Sequence, residues 1–414
     1  MPLGYHGPAG GNQGSSSGGT TLGAPGGQVN DDGGPSSPTS DPVSRWIELF
    51  YDLIFVAALL IFSVAVGHVH PSSGIIWLVL VFAALWWVWF TTTLCANRFH
   101  MVDLRHRLLL LFQMLVIVLM AMEARVSVVG DSAYLAAEYG FLLLTVGFMY
   151  FRAARRSGSS DRGYAMRLAI LNAVTAACFF VAAPIPEIGR LILSAVAVVL
   201  LIASIAMLQR TDDFSGIDEE HLLERMGAFT LIVCGEAFVE IAISVSDATI
   251  DTVNIAALVF EFILVFALFT SYFDDIPAAG LNRRRSGQWA LLHLVTQIGI
   301  AGTAVAASKL INLKISHRLP DFEILWLTAT LAIVYLALAG VGVCTRRRPA
   351  GPLAVTRVIT AVGVAVAGLA IWRISSIQMA EALPIFAVIV VIHAFVVVGL
   401  RAQTRVIDVT RAVS

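Results

Sequence analysis

Long apolar stretches recur along most of this chain and are separated by short polar segments. Each stretch has about 18 to 25 residues, which suits an α-helix that crosses roughly 30 Å of hydrocarbon. Twelve transmembrane spans are predicted, at residues 46–67, 74–95, 107–130, 133–152, 165–183, 188–208, 222–246, 253–273, 288–311, 322–344, 354–373 and 383–400. Very short links, such as residues 184–186, predict that successive spans pack antiparallel. The pattern therefore predicts an all-α, polytopic membrane helix bundle.

Composition agrees with a membrane bundle and excludes two other classes of protein. Hydrophobic residues make up 58% of the chain and charged residues 13%, against about 25% charged residues in ordinary soluble domains. The mean hydropathy is +0.82. A net charge of −1 leaves no basic groove for a nucleic acid. We therefore expect the lipid bilayer as the main partner, together with a small-molecule or ion substrate, and no nucleic acid; the composition does not define an oligomeric state.

Residues 1–42 differ in composition from the rest of the chain. They are rich in Gly, Ser and Pro and contain no Lys or Arg. A signal peptide requires a basic segment followed by an apolar one, and this region has neither. We expect a disordered cytoplasmic tail, after which the first span inserts without cleavage.

Basic residues are divided unequally between alternate loops. When the tails and loops are counted alternately, 21 of the 27 Lys and Arg residues fall on the side that carries both termini. Because Lys and Arg are retained on the cytoplasmic side, the N- and C-termini are predicted to be cytoplasmic, as in a multi-pass protein of the plasma membrane.

The twelve spans divide into two groups of six that resemble each other. The predicted domains are residues 43–210 and 221–402, joined by an acidic linker at 211–220 and followed by a cytoplasmic tail at 403–414. The segment 48–56 is echoed by 224–233 about 176 residues later, and the same offset relates Arg107 to Arg283. Since six is an even number, the halves share an orientation, and we predict two parallel six-helix repeats about an axis along the membrane normal.

Ionisable residues within the predicted spans are the candidates for function, because a charge at mid-bilayer is costly and rarely retained without a role. The candidates for binding a proton, ion or substrate are Glu48, Asp52, His221, Glu224, Glu236, Glu240 and His293. The first two are four residues apart, as are Glu236 and Glu240, so each pair lies on one helical face. Glu48 and Glu224 also have a simpler interpretation as groups that complement a helix dipole.

The first and seventh spans carry these carboxylates at corresponding places. We expect the two helices to enclose an acidic, partly hydrated cavity in the cytoplasmic half, where crowded carboxylates take up protons or cations. Arg98, Arg107 and Asp274 lie at span ends and are predicted to gate or pair with the acids. Gly235, beside Glu236, predicts that another helix approaches closely there.

Two motifs in these same spans resemble a known family. The segment WIELFYDLIFV at residues 46–56 is similar to W-x-E-L-F-F-D-L-V-F-V, and HLLERMGAFTLIVCGE at 221–236 is similar to H-L-x-E-R-F-G-L-F-T-I-I-V-L-G-E. Both are motifs of the bacterial low temperature requirement A (LtrA) proteins. Tyr51 and Met226 replace Phe, and Ala237 stands where members often carry Ser. The resemblance implies a bacterial membrane protein, whereas the family's name records a growth phenotype and implies no reaction.

The preferred functional hypothesis is a proton- or ion-coupled secondary transporter. Two parallel halves with acids at their interface suit this function, and the absence of GxxxxGK[ST] argues against ATP-driven transport by this chain. One alternative is an integral-membrane enzyme with a carboxylate and His site facing the cytoplasm. In that case His100, Asp103 and His106 are the candidate metal ligands, although their spacing is not a tight helical face. A stress-related sensor or scaffold is a second alternative. No cofactor is predicted.

Overall fold

A computed structural model describes residues 42–67, 71–101, 103–126, 132–210, 216–246, 252–273, 280–311, 321–345, 350–374 and 379–413. These ranges form twelve α-helices: α1 (Pro42–Gly67), α2 (Pro71–Phe99), α3 (Leu104–Val126), α4 (Ala133–Arg156), α5 (Ser159–Ala182), α6 (Glu187–Arg210), α7 (Glu219–Ser246), α8 (Thr252–Phe273), α9 (Ser286–Ile311), α10 (Asp321–Val343), α11 (Ala350–Arg373) and α12 (Met379–Val413). A short 3-10 helix, Arg283–Arg285, precedes α9.

The predicted all-α membrane bundle is confirmed. Eleven of the described helices are long and apolar enough to cross a membrane, and the twelfth, α8, has a shorter described apolar stretch at Leu258–Phe273. The helix α12 continues through Val413, past the predicted end of the last span at residue 400. The predicted disordered tail lies outside the described residues, apart from Pro42.

Burial separates central helices from peripheral ones. In α2, 83% of the apolar membrane-spanning segment (Ile76–Phe99) is buried inside the bundle, and in α9 (Ser286–Lys309) the buried share is 72%. The corresponding share is 28% in α6 and 33% in α11 and α12. The remaining surface of these peripheral helices is apolar, as expected of helices that face lipid. The bundle is thus organised around α2 and α9, with α1 and α7 packed against both.

Some pairs of neighbouring helices correspond between the two groups of six, and others do not. Helix α1 contacts α3 as α7 contacts α9, and α2 contacts α6 as α8 contacts α12. Between the groups, α1 packs against α7, while α9 contacts α1, α2 and α6. Helix α9 is central in the bundle, whereas its counterpart in the first group, α3, contacts α1 and α4. The internal repeat stays a prediction.

The close helix approach expected at Gly235 is not found there. A Cβ atom built on this glycine would have no described atom within 4 Å. Small residues instead bring α9 and α10 together, because a Cβ on Gly302 would lie 2.9 Å from Cγ2 of Thr330. Small residues also allow a close approach in the first group of helices, where a Cβ on Gly147 of α4 would lie 3.2 Å from the backbone oxygen of Ala169 of α5, so helix packing by glycine is found away from the acidic motif.

Candidate functional site

A buried ion pair joins α1 to α7 near their N-terminal ends. Asp52 is completely buried, and its Oδ1 accepts hydrogen bonds from Nη2 of Arg225 at 2.7 Å and from Nε1 of Trp89 at 2.6 Å. The other carboxylate oxygen of Asp52 and Nη1 of Arg225 have no hydrogen-bond partner among the described residues. An ion pair removed from water requires further polar partners, so this pair is suited to contact water or a ligand.

Glu48 extends the same cluster towards the end of the bundle. Its Oε2 lies 3.1 Å from Nε2 of His221 and 3.9 Å from Nε of Arg225. Nδ2 of Asn97 lies 3.2 Å from Nδ1 of His221. Because the amide nitrogen is a donor, this contact assigns an acceptor role to Nδ1, and Nε2 then donates to Glu48. The imidazole is thereby oriented between α2 and α1.

A small cavity of about 10 Å³ lies within this cluster. Its lining residues are Glu48, Tyr51, Thr92, Thr93, Ala96, His106, Leu110, His221 and Arg225. Oγ1 of Thr93 and Nδ1 of His106 are buried without a hydrogen-bond partner in the described part of the chain. A polar space of this size holds about one water molecule. We refer to Glu48, Asp52, His221 and Arg225, with this cavity, as the inner cluster.

Hydrogen bonds fix the helices around the inner cluster. The hydroxyl of Tyr51 donates to Oε1 of Gln113 at 2.5 Å, and Nε2 of Gln113 donates to Oγ1 of Thr145 at 2.8 Å. This buried chain connects α1 to α3 and α4. Because Tyr51 is bonded in this way, α1 is held in one orientation, and so is the adjacent Asp52.

An apolar layer with one polar link follows deeper in the bundle. Trp89 packs against Phe229 with their ring centroids 4.2 Å apart. Beside them, Nε1 of Trp86 donates to Oε1 of Gln297 at 2.7 Å, and Nε2 of Gln297 donates to Oγ1 of Thr230 at 2.9 Å. These amide and hydroxyl groups connect α2, α9 and α7 without adding a charge.

A second acidic cluster lies beyond this layer. Oε2 of Glu240 lies 2.5 Å from Oγ of Ser63, and Oε1 lies 3.3 Å from Oγ of Ser308. Glu236 lines the same cavity of about 20 Å³ as Glu240 and Ser63. Its Oε1 is buried and has no hydrogen-bond partner among the described residues. We refer to Ser63, Glu236, Glu240 and Ser308 as the outer cluster.

The two clusters are separated along the same pair of helices. Ser63 lies fifteen positions after Glu48 on α1, and Glu240 lies fifteen positions after Arg225 on α7. At 1.5 Å per residue this separation is about 22 Å, which is most of the thickness of a hydrocarbon core. Polar side chains thus follow the interface of α1 and α7 through much of the bundle, and α9 joins this interface at Gln297 and at the outer cluster.

Several predicted residues lie outside these clusters. Glu224 is exposed and lines an open groove of about 620 Å³ with Glu219 and Glu220, so Arg225 rather than Glu224 faces α1. His293 is buried in the second half, where its ring centroid lies 3.9 Å from that of Trp289.

The predicted gating residues also lie elsewhere or are undescribed. Arg98 binds Asp161 at 2.7 Å, and its guanidinium lies 4.2 Å from the ring centroid of Tyr164. Arg107 is a half-buried residue in the first turn of α3. Asp274 lies outside the described residues.

The candidate metal ligands do not form a common site. Asp103 binds Arg152 at 2.6 Å and Arg156 at 3.2 Å, and it accepts a hydrogen bond from the backbone N–H of His106 at 3.0 Å. Partial burial acts to raise the pKa of Asp103, but these hydrogen bonds and the guanidinium charge outweigh it and lower the pKa below its ordinary value. His100 is exposed and has a positive φ of 44°. Within the described ranges, no three His, Cys, Asp or Glu residues are close enough to hold a metal ion.

Sequence reasoning missed four participants. Arg225 and Trp89 were not assigned to the site, although a buried carboxylate requires a donor. The hydroxyls of Ser63 and Ser308 gave no signal, because serine is common in membrane helices and bonds to its own backbone. Their separation of 173 residues, close to the offset of 176 between the two motifs, was an available signal for their pairing.

One known family covers most of the helical bundle. Residues 43–397 match the sequence profile described as bacterial low temperature requirement A protein (LtrA). None of the curated proteins matches the chain. The profile begins just before the motif that supplies Glu48 and Asp52, and it includes the motif that supplies His221 and Arg225. The chain therefore belongs to the bacterial low temperature requirement A family, and it is a multi-pass membrane protein.

Proposed function

We propose that this protein is a secondary transporter coupled to a proton or another cation, with its path along the interface of α1 and α7. The observation that carries the proposal is the pair of ionisable clusters at two depths of that interface. Each cluster has a small cavity and at least one carboxylate oxygen without a hydrogen-bond partner in the described residues. Ionisable groups within a bundle mark ion and proton pathways in membrane proteins.

The arrangement of α1 and α7 supports two parallel halves. Contacts between these helices join residues 173 to 177 positions apart: Glu48 with His221, Asp52 with Arg225, and Ser63 with Glu240. This separation is close to the offset of 176 that relates the two sequence motifs. Helices that contact each other at corresponding depths are parallel, as required of repeats about an axis along the membrane normal.

The cytoplasmic position of both termini is part of the same proposal. It is supported by the unequal division of Lys and Arg between alternate loops. In this orientation the inner cluster, at the N-terminal ends of α1 and α7, lies in the cytoplasmic half.

Proteoliposomes test the proposed function. A pH or cation gradient imposed across vesicles that contain the protein is expected to produce a flux that empty vesicles lack, reported by an enclosed ion-sensitive dye. Asp52→Asn should reduce this flux about tenfold or more, because it removes the charge that holds Arg225. Glu138→Gln, on α4, serves as the matched control and should transport normally. The absence of flux under every imposed gradient would contradict the proposal.

The enzyme alternative has no comparable supporting observation. Asp103 directs its carboxylate at two arginines, and His106 contributes to the inner cluster instead. The transporter is therefore the function that the geometry favours.

A further inference from the structure

The outer cluster contains two carboxyl groups in one apolar cavity. Glu236 and Glu240 are one helical turn apart and share walls formed mainly by aliphatic and aromatic side chains such as Leu59 and Phe82. Two negative charges in such surroundings would repel each other at low dielectric and lose their hydration. The cavity thus favours a state in which at least one carboxyl group is neutral.

The contacts of the Ser63 hydroxyl indicate which carboxyl group is neutral. Its oxygen lies 2.8 Å from the backbone carbonyl oxygen of Leu60 and 2.5 Å from Oε2 of Glu240. A hydroxyl has one proton to donate, so it cannot donate to both acceptors. Both contacts are satisfied together when Ser63 donates to Leu60 and a protonated Glu240 donates to Ser63.

The charged groups of the surrounding helices do not line the cavity that holds the carboxyl pair. On α9, Lys309 follows Ser308 and its charge acts on Glu240, but its Nζ lies over the ring of Trp326, 5.1 Å from the centroid. The lining residues from α1 and α2 are uncharged, and Glu261 of α8 does not line this cavity. Glu236 is the ionisable neighbour that shares the space.

We propose that the proton is the coupling ion and that Glu240, together with Glu236, carries it. This assignment rests on the proposed transport function. In the loading step, a hydronium ion in the cavity gives one proton to the carboxylate of Glu240 and remains as water. In the unloading step, the O–H bond of the carboxyl group breaks and the proton passes to water on the other side.

Chemical labelling tests the protonated pair independently of transport. Dicyclohexylcarbodiimide reacts with protonated carboxyl groups in apolar surroundings, and its adducts are located by mass spectrometry after digestion. At neutral pH the purified protein should be labelled at Glu240 or Glu236, and the double variant Glu236→Gln with Glu240→Gln should lose this label. Glu138→Gln should keep it. Labelling that is absent from both residues in the wild-type protein would overturn the assignment.

Flux measurements separate the two proposals. Glu240→Gln imitates the protonated carboxyl, so it should elute as a folded monodisperse protein and yet lose proton flux by about tenfold or more. Glu240→Asp, which keeps a carboxyl group, should recover part of the flux. A sodium-driven flux that persists in Glu240→Gln would overturn the proton assignment and leave the transporter intact. No flux of any ion, with labelling retained, would overturn the transport function and reduce the pair to a structural feature.

Discussion

At the scale of single residues, the ion pair of Asp52 and Arg225 determines which changes the centre of the bundle tolerates. Both side chains are buried, and Asp52 is at 0% exposure. Removing one partner of a buried pair leaves an uncompensated charge, at a cost of about 3 to 5 kcal/mol, whereas removing both often costs much less. The pair is therefore expected to behave as a unit.

A double-mutant cycle tests this coupling. Arg225→Gln and Asp52→Asn should each lower the thermal unfolding midpoint in detergent, and the double variant should be more stable than Arg225→Gln alone. Fluorescence-detected size-exclusion after heating measures the midpoints. Strictly additive losses would show that the two groups do not stabilise each other.

The contacts of Asp103, which lies outside the apolar core, predict that the stability of the protein depends on pH. Its pKa in the folded protein is lower than the ordinary value of 3.8, so its carboxylate contributes stability that is complete above about pH 4 and is lost as the pH falls through the folded pKa. Asp103→Asn should reduce the free energy of unfolding by about 1 kcal/mol at neutral pH, after screening by solvent is allowed for. The difference from wild type should shrink in acid.

Thermal midpoints between pH 3 and 7 measure this effect. Glu187→Gln, which removes an exposed carboxylate at the start of α6, is the matched control and should stay near the wild-type midpoint. A constant difference between Asp103→Asn and wild type across this range would contradict the assigned contacts.

At the scale of helices, the contact between α9 and α10 depends on residues without side chains. A Cβ on Gly302 would lie 2.9 Å from Cγ2 of Thr330, and one on Gly340 would lie 2.9 Å from Cδ1 of Leu292. Such distances require a neighbour to move, because helices in a bundle are closely packed. Since α9 also contacts both halves, a displacement of α9 would be transmitted to the sites on α7.

Gly302→Leu should therefore destabilise the bundle by about 1 to 3 kcal/mol through overpacking. Gly235→Leu is the matched control, since a Cβ on Gly235 has no described atom within 4 Å. Thermal unfolding midpoints measure the effect, and that of Gly302→Leu should be lower than that of Gly235→Leu. Equal midpoints for the two variants would show that α9 and α10 are not held in close contact.

The helices were largely predictable from the sequence, and their ends less so. Apolar length alone requires a helix in lipid, because the backbone must satisfy its own hydrogen bonds. Polar residues do not end a helix when they find partners, however, and Asn97 continues α2 by pairing its amide with the backbone of Asp218 at 2.8 Å. This tertiary contact carries no local signal, so the predicted end at residue 95 was too early.

The candidate site was predictable in part. The acids of α1 were found by their position within an apolar segment. On α7, Glu224 and Arg225 are adjacent and differ by about 100° around the helix, so the motif alone does not specify which one faces α1. The packing of α7 against α1 decides in favour of Arg225, whose partner Asp52 lies on α1 and also accepts a hydrogen bond from Trp89 of α2.

At the scale of the whole molecule, the inner cluster makes the first half dependent on the second. Asp52 belongs to α1, but its cationic partner belongs to α7, which is synthesised 173 residues later. Until α7 is inserted, the carboxylate in α1 has no guanidinium to pair with, and an unpaired charge within a membrane is costly. Assembly of the halves is thus linked to satisfaction of this group.

Expression of the protein as two fragments, alone and together, tests this dependence. A fragment of residues 1–213 should be degraded when expressed alone and should accumulate when residues 214–414 are coexpressed, because the second fragment supplies Arg225. Immunoblots of membrane fractions measure the yields.

One substitution with opposite expected effects on the fragment and on the full chain provides the control for this prediction. Asp52→Asn should raise the yield of the isolated first fragment, whereas the same change destabilises the full chain. Equal yields of the wild-type and Asp52→Asn fragments would show that the missing guanidinium is not the cause.

The hydrogen bond from Trp89 to Asp52 also gives the protein its own optical reporter. The indole Nε1 lies 2.6 Å from a carboxylate oxygen of the inner cluster, and the ring packs against Phe229. An indole's emission wavelength responds to nearby charge, so any event that neutralises or displaces this carboxylate should shift the intrinsic fluorescence. Ligands of the inner cluster can therefore be screened without a label, and Trp89→Phe identifies the part of the signal that comes from the site.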